Sequence, residues 1–132
     1  MSSRGAVLVL DDEPIVCQRL KEQLEKNDFY VETFTDSQAA VDRLADKRFD
    51  VVVTDLKMRG PTGLDVMHFV RRQGTGTQVV IITGYGSSEA MREAEFSGAF
   101  EFIPKPFQME ALTRVVTKAA AKGRKHGKGV GS

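Results

Sequence analysis

The chain has 132 residues, 41% hydrophobic and 28% charged, a length and composition that suit one globular domain with a core of its own. Its 19 basic and 18 acidic residues leave a formal net charge of +1, so no overall field draws it to nucleic acid or to an acidic membrane. The lone Cys17 excludes an internal disulfide and suits a reducing compartment, and the apolar runs are far shorter than the ~20 residues a membrane helix needs.

Residues 6–10 are an apolar run predicted to form a strand, and they stop at Asp11-Asp12-Glu13. The acids arrive too soon for a signal-peptide h-region, so a cytoplasmic protein is expected. Pro14 suits a first helical turn, and Val16, Leu20 and Leu24 recur at helical spacing as far as residue 27. Residues 29–34 alternate, as an edge strand does. A helix over residues 37–47 puts Ala40, Val41 and Leu44 on its apolar side, and residues 50–54 are the third strand. Residues 63–73 read as a helix with Leu64, Met67 and Val70 inward, and residues 78–83 as the fourth strand. Gly84-Tyr85-Gly86 then leads into a helix over about 87–97, which Gly98 would terminate. The fifth strand covers residues 99–103 and the last helix residues 108–121. The remainder, KGRKHGKGVGS, has no apolar periodicity, so a domain over residues 1–121 and a flexible basic tail over 122–132 are expected.

Five strands alternating with five helices predict an α/β doubly wound fold, a parallel sheet with right-handed crossovers and helices on both faces. In such sheets ligands bind beyond the carboxyl ends of the strands, and those ends carry unusual residues here. Strand 1 ends in Asp11 and Asp12, strand 3 in Asp55 and strand 4 in Thr83, while strand 5 leads into Lys105-Pro106. Taken singly, Asp11-Asp12 or Thr83 could cap a helix, and Asp55 or Lys105 could be loop residues. Because the strands are parallel, however, all of them fall on one edge. Three clustered carboxylates repel unless a cation is present, and hard oxygen ligands suit Mg²⁺. Lys105, the Thr83 hydroxyl and the Gly84 amide would then hold an anion's oxygens, an assembly suited to phosphoryl transfer to a carboxylate.

These residues, together with the DLKM segment at Asp55, the TGYGS segment at Thr83 and the KPF segment at Lys105, resemble the receiver domain of two-component response regulators from about residue 6 to 121. The resemblance implies a flavodoxin-like sheet of order 2-1-3-4-5. It implies that Asp55 accepts a phosphoryl group from a sensor histidine kinase or phosphotransfer protein, with Thr83 and Lys105 on the phosphoryl oxygens and backbone groups of Lys57 and Gly84 beside them. Asp12, Asp55 and the Lys57 carbonyl would hold Mg²⁺, Asp11 would act mainly through water, and the Lys105-Pro106 bond would be cis. Thr83 and Phe102 would form the switch that alters residues 87–108 for a downstream effector domain or protein, or for a second copy of the chain. The protein would be a signalling module whose only chemistry is its own phosphotransfer and dephosphorylation.

The loop after Asp55 departs from the family pattern. Arg59 stands where Pro commonly follows the Met, with Pro61 two residues later, and Lys57 and Tyr85 flank the expected path of attacking water. Two other functions compete. A magnesium-dependent phosphatase with an aspartyl nucleophile commonly needs a second acid where Lys57 stands, and a cap domain for which there is no room. A pseudo-receiver would keep the fold as a binding scaffold. Cys17 is read as a packed helix residue and His68 and His126 as surface groups. Phe96, Phe100 and Phe107 are read as packing residues or part of the output face.

Overall fold

The structure, a computed structural model, describes residues 4–84 and 98–130, with side chains as far as residue 123. Strands β1 (Gly5–Leu10), β2 (Phe29–Phe34), β3 (Val51–Asp55), β4 (Gln78–Thr83) and β5 (Glu101–Pro104) form one sheet. Their order is β2-β1-β3-β4-β5 and every pairing is parallel. Helices α1 (Pro14–Lys26), α2 (Ser37–Asp46), α3 (Gly63–Gln73) and α4 (Met109–Val130) are the helices among the described residues. This is the doubly wound arrangement anticipated from the alternation, with the flavodoxin-like strand order that the resemblance implied. Tyr85, Gly86, Phe96, the expected helix over 87–97 and the side chain of His126 lie outside the described residues.

The sheet has two apolar faces because successive side chains on a strand point to opposite sides. Val7, Val9, Val51, Val53, Val80 and Ile82 pack against Leu20 and Leu24 of α1 and Leu112 and Val116 of α4. Leu8, Leu10, Val52 and Ile81 face the other way, onto Leu44 of α2 and Val66, Met67 and Val70 of α3. Val51, Val52 and Val53 are each 0% exposed, which is why β3 reads as an unbroken apolar run. Burying each such side chain contributes about 1.5–3 kcal/mol, which makes β3 a rigid base for whatever follows it. The edge strand β2 alternates over its first half, with Phe29 and Val31 buried and Tyr30 46% exposed, whereas Glu32, Thr33 and Phe34 are all half-buried.

Two boundaries differ from expectation. β5 starts at Glu101 rather than residue 99 and runs through Pro104, a proline that an edge strand tolerates. The last helix, expected to stop near residue 121, continues to Val130. At its crossing with the sheet, Gly123 is buried and its carbonyl accepts a 2.7 Å hydrogen bond from Arg48. A Cβ at Gly123 would lie 2.7 Å from the Asp50 carbonyl oxygen. Such a backbone-to-backbone approach leaves no apolar periodicity, so hydrophobic spacing could not reveal it.

Candidate functional site

Strand register brings the polar strand ends level with one another. Leu10 pairs with Thr54, so Asp11 and Asp55 are neighbours one step further along β1 and β3. Asp55 pairs with Ile82, and Thr83 pairs with Pro104, the residue before Lys105. A cleft of about 230 Å³ results, lined by Asp12, Glu13, Asp55, Lys57, Thr83, Gly84 and Lys105. Asp11 is fully buried behind it, Asp55 is 8% and Thr83 2% exposed. Asp12 is exposed at the rim.

Lys105 ties the carboxylates together. Its Nζ lies 3.0 Å from Oδ2 of Asp11, 3.0 Å from Oδ2 of Asp55 and 3.7 Å from Oε1 of Glu13. The Lys105-Pro106 peptide is cis, as the resemblance implied. Burial works against the Lys105 ammonium, but hydrogen bonds to Asp55 and Asp11 outweigh it and hold its pKa above the ordinary lysine range. Lys105 is therefore a permanent cation in the cleft. Burial pushes the Asp11 carboxyl above the usual carboxylate range, with the Glu13 amide and Lys105 pulling back and the Asp55 charge adding to the rise. The second oxygen of Asp11 accepts from the Glu13 amide at 2.9 Å, and Oδ1 of Asp55 accepts from the Lys57 amide at 3.1 Å.

Carboxylate oxygens of Asp11, Asp12 and Asp55 all lie within 4.8 Å of one another. A set of hard, anionic oxygens at that spacing fits Mg²⁺, which takes one or two carboxylates and keeps waters for a phosphate. None of the three acids is consumed as a helix cap, because α1 starts on Pro14 without a side-chain cap and α2 is capped by Asp36.

Within the loop after Asp55, Ser37 Oγ donates to the Arg59 carbonyl at 2.8 Å, and Gly60 turns the chain with φ +74°. Thr62 and Asp65 then form a reciprocal capping box that starts α3. Arg59 in place of the common proline is thus accommodated by a loop with its own anchor. Phe102 is half-buried and packs on the α2/α3 side of the sheet. Phe100 and Phe107 pack against the α1/α4 side.

Sequence reasoning missed Glu13, Ser37 and Gly63, which support the site. Gly63 approaches so closely that a Cβ there would stand 2.5 Å from the Asp55 carbonyl oxygen. Its only sequence signal was a glycine at a helix start. His68, expected at the surface, is half-buried on α3. Cys17 is buried, its thiol donating to the Asp11 carbonyl at 3.3 Å; burial and then the Asp11 charge push its pKa up, so it stays protonated.

Residues 7–117 match the family model described as the response regulator receiver domain. The chain belongs to the response regulator receiver family. FixJ, a transcriptional regulatory protein of Bradyrhizobium diazoefficiens, is 32% identical over 119 residues, covering 90% of this chain and 58% of FixJ. PilR, a response regulator of Pseudomonas aeruginosa, is 31% identical over 117 residues, covering 89% of this receiver and 26% of PilR. Among solved structures, a receiver domain protein of Clostridium thermocellum superposes with a TM-score of 0.84 at 29% identity, covering 90% of this chain and 96% of that one. This receiver therefore spans only 26% to 58% of the length of those two curated relatives. It is a receiver domain of the two-component type.

Proposed function

We propose that this receiver accepts a phosphoryl group on Asp55 from the phosphohistidine of a sensor histidine kinase or phosphotransfer protein, in a Mg²⁺-dependent reaction. The observation that carries this reading is the Lys105 ammonium 3.0 Å from both Asp11 and Asp55, in a cleft that Thr83 and Gly84 also line. An oxygen of Asp55 attacks phosphorus, the bond from phosphorus to the donor imidazole breaks, and its electron pair leaves with the imidazole. Lys105 and the Thr83 hydroxyl hold the phosphoryl oxygens, with the Gly84 amide as a further donor. Asp12, Asp55 and the Lys57 carbonyl would hold Mg²⁺, with Asp11 acting mainly through water; the ion when bound offsets the carboxylate charge and polarises the phosphoryl group.

The acyl phosphate adds roughly −1.5 to −2 charges to the cleft. Thr83 moves toward that charge, Phe102 turns inward behind it, and residues 87–108 present a changed face. That face meets a downstream effector domain or protein, or a second copy of the chain. We place the receiver over residues 1–121, with the Gly/Lys-rich 122–132 appended to it, and its work in the cytoplasm. No helix among the described residues is long and apolar enough to cross a membrane. The near-neutral charge offers no basis for nucleic-acid binding by this domain.

Incubation with acetyl phosphate and Mg²⁺ is expected to add one phosphate by intact mass, and Asp55→Asn is expected to abolish the adduct while the fold persists. Stoichiometric labelling of Asp55→Asn would move the acceptor elsewhere. No adduct on the unaltered protein would support the pseudo-receiver scaffold instead.

A further inference from the structure

Two clefts meet at Asp12. The phosphoryl cleft lies on one side, and on the other is a cavity of about 380 Å³ lined by Asp12, Pro14, Thr35, Asp36 and Arg59. Arg43 and Arg48 are committed to carboxylates at 2.8 Å, whereas the Arg59 guanidinium carries no ion pair or hydrogen bond among the described residues. It shares its cavity with two acids and pairs with neither; Asp36 instead accepts from the Ala39 amide at 2.9 Å as the cap of α2. The backbone beneath it is held in place. The fully buried Ser37 donates to the Arg59 carbonyl at 2.8 Å, and Gly60 at φ +74° follows immediately. A solvent-facing guanidinium is therefore presented on a fixed loop at the mouth of the acidic site.

An incoming phosphoryl dianion meets Asp12, Glu13 and Asp55 at this mouth, with Asp11 buried behind them. Lys105 offsets little of that charge outward, since it already bridges Asp11 and Asp55. Arg59 can meet the dianion from the Asp12 side, and its planar fork of donors matches phosphate oxygens. We propose that Arg59 is the docking residue for the donor's phosphoryl group, pairing with it at the rim before transfer to Asp55. This rests on the phosphoacceptor reading above. The same charge, across the cavity from Asp12, opposes a divalent cation there, so Arg59 favours the donor anion at some expense of Mg²⁺ affinity.

The test uses the full chain with Arg59→Ala and Arg59→Lys, labelled by acetyl phosphate at saturating Mg²⁺. At sub-saturating donor, Arg59→Ala is expected to label about 3- to 10-fold more slowly at low salt, with Arg59→Lys falling between it and the unaltered protein because it keeps the charge and loses the planar fork. At saturating donor the rates should converge, and the dephosphorylation rate of preloaded protein should not change. Without donor, calorimetry should give tighter Mg²⁺ binding for Arg59→Ala. Equal labelling by the unaltered protein and Arg59→Ala at low donor would overturn the docking role alone. A dephosphorylation rate that falls in step with labelling would also overturn it, since the residue would then act on site geometry. Failure of the unaltered protein to label would overturn the phosphoacceptor reading, and the docking role with it.

Discussion

At the scale of single residues, charge placement separates the site from the scaffold. Lys105 sits between Asp11 and Asp55 and stays charged because both carboxylates hold it. A second charged group, far from the cleft, shows how the scaffold depends on pH. Arg43 meets Glu32 in a paired bond of 2.8 and 2.9 Å. Its hydrogen bonds pull the Glu32 carboxyl from its ordinary 4.5 to about 2, against the opposing effect of burial and with help from the Tyr30 hydroxyl. A depressed folded pKa contributes stability that is present above the unfolded value and lost as pH falls through the folded one. Glu32→Gln should therefore lower the urea midpoint at pH 7, and the difference from the unaltered protein should fade between about pH 4.5 and about pH 2. A difference that persisted undiminished at pH 2 would assign the loss to packing instead of charge.

At the scale of elements, the start of α3 decides how Asp55 is held. The Gly63 amide donates to the Leu56 carbonyl at 3.0 Å, and no side chain fits between that helix start and the end of β3. Gly63→Ala forces a Cβ against the Asp55 and Leu56 backbone, and overpacking of this kind costs about 2 kcal/mol. Because the clash falls on the acceptor's own backbone, labelling of Asp55 should slow as well. Thr62→Ala removes half of the capping box one residue earlier and should cost about 1 kcal/mol by denaturant unfolding, with labelling nearly unchanged. If both variants slowed labelling equally, general loosening of α3 would be the cause, not the close approach at Gly63.

At the scale of the whole molecule, the two ends of the sheet have different tasks. The carboxyl ends of the strands carry the cleft. At the opposite end, Arg48 Nη1 bonds to Asp50 Oδ1 at 2.8 Å, its Nε to the Thr75 carbonyl at 3.0 Å and its Nη2 to the Gly123 carbonyl at 2.7 Å. Asp50 in turn accepts from the Ala6 amide at 2.8 Å, so this cluster fastens α4 to β1 and the β3 entry. Arg48→Ala should cost about 1 kcal/mol and speed amide exchange near residue 123. Lying across the sheet from the cleft, it should leave the labelling rate of Asp55 unchanged, and its stability effect should add to that of Gly63→Ala.

The sequence by itself determined the alternation of strands and helices, because apolar period and turn residues are local signals. It also determined that Asp11, Asp12, Asp55, Thr83 and Lys105 share one edge, because parallel strands all end on the same side. Only the tertiary structure decided the rest. The Lys105 bridge depends on register between β1, β3 and β5, elements separated by dozens of residues. The Gly63 and Gly123 approaches involve backbone atoms, which leave no side-chain pattern to read. Arg59 looked like a departure from the family loop; its unpaired guanidinium beside Asp12 emerged only when Ser37 and the turn at Gly60 were seen to fix that loop. Periodicity reports which face of an element is buried, whereas a charged site depends on distances between elements, and those exist only once the sheet has assembled.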